Sequence, residues 1–324
     1  MNEFAPATPL RIPVLLLIFN RPDTTRQVFE AIRQAKPPRL YVAADGPRTN
    51  KAGEAERCAL TREIATAVDW ECEVKTLFRD QNLGCGVAPA NAIDWFFENE
   101  EEGIILEDDC LPHQSFFWYC QELLDKYRHD TRVMHITGTN FHKGWQRDPD
   151  YSYYFSAIGL GWGWASWRRA WAYYDFNINH FPEVVKKNYL DGFFFKKDAT
   201  TWLLNSLKET HEKTGDISWW DFQWDFIRYT QSGLAIVPNS NLIENIGIGE
   251  DATHTVKADD KLRNPVTTPM SFPLRHPGFV IRDHQSDERY FQNFYARNSV
   301  EKAKAFVKMF IPDFLLEKMG ISPY

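Results

Sequence analysis

Through the first third of the chain the apolar residues fall in short continuous runs, and each run stops at a polar turn. "IPVLLLIF" (12–19) closes on Asn20-Arg21-Pro22, "RLYVAADG" (39–46) turns at Gly46-Pro47, and "CEVKTLFR" (72–79) leads into "DQNLGCG". A fourth run, at 103–107, ends in Glu107-Asp108-Asp109. Each run predicts a strand, and the continuous apolar run at 12–19 predicts one buried on both faces. Helices are predicted between them. The first starts at Pro22 or Asp23 and runs to about Ala35, with Val28, Phe29 and Ile32 on one side; a polar helix spans about 53–68 and a third about 87–99. This βαβαβαβ rhythm predicts an α/β fold with a mostly parallel sheet and helices on both faces. Ligands in such sheets sit beyond the carboxyl ends of the strands. Three predicted strand ends are polar ("NRPD", "ADGPR" and "EDDC"), so one crevice is expected to collect them.

The pattern changes from Tyr151 onward. "YSYYFSAIGLGWGWASWRRAWAYYD" and "SWWDFQWDFIRY" are dense in aromatic residues, without a linker or a fixed repeat. They predict an aromatic-rich lobe packed on the first sheet. Trp164, Trp167 and Trp171 follow helical spacing and are expected in the core. Trp162, between Gly161 and Gly163, is a candidate floor for a sugar, and "NLGCG" either lends amides to a ligand or forms a plain turn. The amphipathic tail, about 299–319, is interrupted by Pro312; it is expected to pack on the body, with contact to a membrane surface as the alternative.

Composition narrows the partners. The 324 residues are 44% hydrophobic and 25% charged, ample for a large core. With a net charge of −7 and no dense Lys/Arg stripe, nucleic acid is not expected as a partner. Five scattered cysteines, an odd number without a CxxC pair, predict a reducing, cytoplasmic setting. The N-terminus lacks the charged and apolar regions of a signal peptide, and no apolar run is long enough for a membrane span.

The acidic strand end carries the chemistry. Adjacent carboxylates repel, and burying them unpaired is costly. A hard divalent cation, Mg²⁺ or Mn²⁺, prefers oxygen ligands and offsets the repulsion. A solvated acidic turn that extends Glu98, Glu100, Glu101 and Glu102 is the plain alternative. Zinc through Cys110 and His113 has too few ligands.

In order and spacing, "LLLIFNRPD", "YVAADGPR", "RDQNLGCGVAPANAI", "IILEDDCLPHQSFF", "IGLGWGWASWRRAW", "WWDFQWDFIRY" and "IVPNSNLIENIGIGEDATHT" resemble landmarks of GT-A fold glycosyltransferases. The likeness, over about 12–278, is to the bacterial group near the N-acetylglucosaminyltransferase I type. It implies a Rossmann-like GT-A domain whose nucleotide-sugar half is 1–150 and whose acceptor and catalytic half is 151–280, followed by a helical tail, 281–324. It implies metal-dependent, inverting transfer from a nucleotide-diphosphate sugar, with UDP favoured, to a saccharide or glycolipid hydroxyl, as in polysaccharide synthesis. By the same likeness Arg21 and Asp45 contact the nucleotide, Asp109 ligates Mn²⁺ or Mg²⁺, Asp108 faces the ribose or donor sugar, and Glu107 faces the sugar. Such a reaction needs a base on the acceptor side. Asp221 and Asp225 are the candidates, on one helical face at i, i+4, with Asp221 preferred. His254, beside Glu250 and Asp251, is the candidate second metal ligand; an ordinary surface hydrogen-bonder is its alternative. The resemblance leaves the protein cytoplasmic, with peripheral contact at the inner membrane open. Two other classes stay in play. A sugar nucleotidyltransferase is expected to have a glycine-rich basic loop where "LLLIFNRPDTTRQ" has none, and a non-catalytic carbohydrate-binding protein would not need the acidic cluster.

Overall fold

The computed structural model describes residues 4–194, 196–213, 218–247 and 266–294. The first half alternates as its sequence pattern predicts: β1 (Val14–Ile18), α1 (Pro22–Ala35), β2 (Arg39–Ala44), α2 (Glu54–Thr66), β3 (Glu73–Phe78), α3 (Gly84–Asn99) and β4 (Glu102–Glu107). There follow β5 (Cys110–Pro112), α4 (Ser115–Tyr127), β6 (Val133–Thr137), β7 (Tyr153–Ser156), β8 (Trp164–Trp167), α5 (Arg168–Trp171) and α6 (Phe181–Lys186). The described chain ends with α7 (Lys197–Glu212), α8 (Asp221–Thr230), β9 (Leu234–Pro238), β10 (Ile243–Asn245) and α9 (His284–Phe294).

Eight strands form one sheet in the order β3-β2-β1-β4-β8-β6-β9-β7. β1, β2, β3 and β4 are parallel, β8 runs antiparallel between β4 and β6, and β7 is antiparallel to β9. The second half therefore extends the same sheet. β5 and β10 make a separate antiparallel pair, with Asn245 opposite Cys110.

Successive strand residues serve two cores, because side chains alternate across a sheet. Val14, Leu16, Ile104 and Leu106 face one layer with Val28 and Ile32 of α1 and Phe117 and Leu124 of α4. Leu15, Leu17 and Ile105 face the other with Ile93 and Phe96 of α3, Leu203 of α7 and Trp224 of α8. Ile104, Ile105 and Leu106 are wholly buried; each contributes about 1.5–3 kcal/mol of burial, which anchors the acidic residues that follow.

The aromatic segment departs from its predicted form. Trp164 and Trp167 lie in β8, and only Trp171 is helical. All three are buried, but Trp167 belongs to the α1/α4 layer while Trp164 and Trp171 belong to the other. A spacing of three is one helical face and also two opposite strand faces, so the tryptophans alone do not separate the two.

Candidate active site at the sheet's carboxyl edge

The strand order reverses at β1, with β2 and β3 on one side and β4 onward on the other. That reversal opens a crevice at the carboxyl ends of β1 and β4. Arg21 and the carboxylates at 107–109 stand on its two lips. The Arg21 guanidinium donates to Asp109 Oδ2 at 2.8 Å and lies 3.8 Å from Asp108 Oδ1. The Phe19 amide donates to Asp108 Oδ2 at 3.1 Å. Pro22 at the head of α1 has no N–H to lose there and lets the helix begin directly behind Arg21.

Arg21 falls short of balancing the acidic group. Burial, reinforced by Asp109, pushes the Asp108 carboxyl up to about 7, against the pull of Arg21 and the Phe19 amide. Burial likewise raises Glu107 well above the carboxylate range, helped by Asp109, Asp108 and Asp221. The last contribution brings Asp221 within electrostatic reach of Glu107, although 114 positions separate them.

Packing holds Asp221 there. It opens α8, and Trp220 before it is buried. The Trp220 ring stacks on Trp164 of β8 with centroids 5.5 Å apart. Tyr174 donates to the Trp220 carbonyl at 3.0 Å. A Cβ on Gly161 would meet the Trp220 ring at 3.3 Å, so the glycine lets the loop lie close against it. Asp221 is exposed, whereas Asp225 is half-buried and pairs with the fully buried Arg228, which also donates to the Ala157 carbonyl at 2.9 Å. Burial raises Asp225 to about 6 despite that partner. The two carboxylates thus differ in setting: Asp225 pairs with a buried cation, and Asp221 lies near enough to Glu107 to raise its carboxyl.

Asp45 is engaged by its own scaffold. One oxygen accepts from the amides of Gly46 and Leu83, each at 2.9 Å; the other accepts from the Gly84 amide at 2.9 Å and from Asn82 Nδ2 at 3.0 Å. These four bonds fill the usual capacity of a carboxylate. Asp45 therefore caps α3, which has no side-chain cap of its own, and the helix dipole favours the charge. The Leu83 and Gly84 amides, open to a ligand on sequence alone, are spent on Asp45. Gly46 is required by this packing, because a Cβ would lie 2.4 Å from the Gln81 backbone.

Two features of the site were missed by the sequence reading. Gly247 presses on the acidic group: its Cβ would come within 2.2 Å of Asp109 Oδ2, and the preceding Ile246 amide donates to the Asp109 carbonyl at 2.8 Å. The glycine in "NIGIGED" was the available signal. The other is wholly buried Glu54, which binds Asn20 Nδ2 at 2.9 Å and the Arg48 amide at 2.7 Å. It also pairs with the Arg48 guanidinium, which pulls its carboxyl down to about 2 and ties the end of β1 to the end of β2. Nothing in the local sequence signals this link. Trp162 is half-buried with its ring 5.5 Å from Phe141. His254, with Glu250 and Asp251, lies outside the described residues, as does the tail at 299–319.

The donor set suits a hard cation, since three adjacent carboxylates share a single guanidinium and two of them, Asp108 and Glu107, are pushed toward neutrality. Among the described residues, no three His, Cys, Asp or Glu side chains form a ready ligand group. Among the described residues, no helix is long and apolar enough to cross a membrane.

No family model matches the chain, and no curated protein matches it. Among solved structures, inositol-1-phosphate CTP transferase from T. maritima aligns at a TM-score of 0.39 and 7% identity, over 77% of this chain and 93% of that one. HddC from Yersinia pseudotuberculosis aligns at 0.30 and 11%, over 49% and 77%. A UDP-glucose pyrophosphorylase complexed with UDP-glucose aligns at 0.25 and 11%, over 45% and 62%. Likenesses this weak carry no argument about activity.

Proposed function

We propose that the chain is a metal-dependent glycosyltransferase that moves a sugar, with inversion, from a nucleotide-diphosphate sugar to a hydroxyl acceptor. The observation that carries this reading is the cluster of the 107–109 carboxylates with Arg21 at the reversal point of the sheet, with Asp221 near enough to raise the Glu107 carboxyl. Arg21 suits a phosphate oxygen, which its planar fork can take while releasing Asp109. Asp109, with Asp108 beside it and His254 as the proposed further ligand, would hold Mn²⁺ or Mg²⁺. The cation would neutralise charge on the leaving diphosphate. Asp45 shapes the nucleotide end by fixing the 82–84 loop, and the Arg48–Glu54 pair braces the opposite lip. Glu107, whose carboxyl is raised by burial and by Asp109 and Asp108, can hydrogen-bond a sugar hydroxyl. Asp221, exposed at the head of α8, accepts the proton of the attacking hydroxyl.

The second reading is a sugar nucleotidyltransferase, the kind of enzyme named among the structural neighbours, and the same α/β crevice suits it. Against it stands the β1–α1 turn. Asn20-Arg21-Pro22 has no glycine, and Pro22 removes an amide that would cradle a triphosphate. A carbohydrate-binding protein without catalysis would leave the acidic cluster without a purpose.

The test is a panel of nucleotide sugars scored for Mn²⁺-dependent thermal shift and hydrolysis, beside nucleoside triphosphates with sugar 1-phosphates scored for pyrophosphate release. Asp109→Ala is expected to abolish the metal-dependent shift in a folded protein. Asp221→Asn is expected to lower kcat by about 10²–10⁴-fold, the worth of a general base, with donor binding near normal. Pyrophosphate release without sugar transfer would replace the first reading by the second.

A further inference from the structure

The two edges of the eight-stranded sheet are finished differently. At one edge β7 is closed by its own chain. The Ser152 amide donates to the Arg275 carbonyl at 2.9 Å, the Asp283 amide donates to the Phe155 carbonyl at 2.7 Å, and Arg282 bridges to Phe155. At the other edge, among the described residues, no strand pairs with the outer side of β3. β3 is six residues long, has no proline, glycine or buried position, and pairs with β2 without a bulge. Val74 and Phe78 on it are 37% and 38% exposed. Sheets ordinarily shorten, bulge or cover such an edge, because its open amides and carbonyls are a template for another strand.

The backbone decides which groups are open. The Glu73 amide donates to the Pro38 carbonyl at 2.9 Å, and the Arg79 amide donates to the Ala44 carbonyl at 3.0 Å. Bonding direction alternates along a strand, and the register with β2 is unbroken from Glu73 to Phe78. The odd-numbered residues therefore bond β2, while Val74, Thr76 and Phe78 turn their amides and carbonyls outward. These three are symmetric about Thr76. A second copy, antiparallel about a twofold axis at Thr76, sets Val74 opposite Phe78 of that copy and Thr76 opposite its own equivalent. Each such pair can exchange two hydrogen bonds. The same register sets Glu73 opposite Arg79, a match of opposite charge made twice by the symmetry. A slip of two residues either way sets Lys75 opposite Arg79 or opposite the other Lys75, and like charges directly opposite are destabilising. The side chains of β3 thus select the centred register.

Strand direction also fixes where the crevices go. β1, β2, β3 and β4 are parallel. In the antiparallel pair the carboxyl edges of the two sheets therefore point in opposite directions, and both crevices stay open.

We propose that two copies of this chain associate edge to edge through β3, antiparallel about Thr76, as an isologous dimer with one continuous sheet. The proposal does not depend on what the crevice catalyses. One strand pair is at the small end for a stable interface, so the dimer is expected to dissociate on dilution. Sedimentation equilibrium of the full chain over a concentration series is expected to show the 37.9 kDa monomer in exchange with a species of twice that mass. Thr76→Pro removes an outward amide and leaves the ladder to β2 intact, so it is expected to weaken association by about tenfold or more while the melting temperature of the dilute protein holds. Glu73→Arg sets like charges opposite each other and is expected to weaken association by about tenfold. Glu73→Arg combined with Arg79→Glu is expected to restore it, which a merely structural role for either residue would not produce. Should Thr76→Pro fail to fold, the charge exchange still decides. A monomer at every concentration, a dimer indifferent to folded Thr76→Pro or to Glu73→Arg, or no recovery in the double variant overturns the proposal.

Discussion

Replacing Asp108 by Asn should make the metal-free protein more stable, and the gain should depend on pH. Asp108 is 7% exposed, and its carboxyl is raised from an ordinary 3.8 to about 7. A raised carboxyl binds protons more tightly in the folded state than in the unfolded one. Folding is then unpenalised below the unfolded value and progressively penalised as pH climbs toward the folded value. The rise is about three units at about 1.4 kcal/mol each, so the penalty approaches about 4 kcal/mol at pH 8 and is about 1 kcal/mol at pH 4.5. Asparagine keeps the size and can still accept the Phe19 amide, but carries no charge. Because Asp108 shares its field with Asp109 and Arg21, the expected extra stability of Asp108→Asn at pH 8, relative to pH 4.5, is about 2–3 kcal/mol. Urea denaturation at the two pH values measures it. Mn²⁺ with UDP should narrow the gap by stabilising the unaltered protein more than the variant. An equal effect at both pH values, or a loss at pH 8, would refute the argument that this site is short of positive charge.

Three further outcomes follow from the same geometry. Asp225→Asn leaves buried Arg228 without its countercharge and should cost about 3–5 kcal/mol in denaturation, whereas Asp221→Asn should leave stability within about 0.5 kcal/mol, as for surface positions. Gly247→Ala drives a Cβ into Asp109 and should weaken Mn²⁺-dependent nucleotide binding at least tenfold while the melting temperature holds; unchanged binding would show that the 245–247 segment yields freely. Glu54→Gln should destabilise the protein by about 2 kcal/mol at pH 7. Glu54 has a depressed carboxyl, so its contribution is present above about 4.5 and lost as pH falls through about 2; the deficit measured by denaturation should therefore shrink with acidification.

Apolar runs closed by polar turns were enough to read β1 to β4 and the helices between them; β1, covered on both faces, has no polar position to spare, whereas β3 at the sheet's edge has no buried residue. The same pattern marked Arg21 and the 107–109 carboxylates, since charges at the end of such a run cannot be core. Other features were decided only in three dimensions. The tryptophans of 164–171 are compatible with a helix or a strand, and pairing of Trp164 with Ile105 and Thr137 across the sheet settles them as β8. Asp45 is legible as polar, but its use as the cap of α3 depends on the parallel pairing of β2 with β3, which sets the loops after them side by side. Asp221 and Asp225 are equivalent on a helical wheel. They part because Arg228, one turn further on, is buried and needs a countercharge, while Trp220 pins the other end of α8 beside β8. Local sequence sets which groups a strand end or a helix face can offer. Which of them remain available for chemistry depends on long-range neighbours, because a buried charge must be balanced by whatever the fold brings to it.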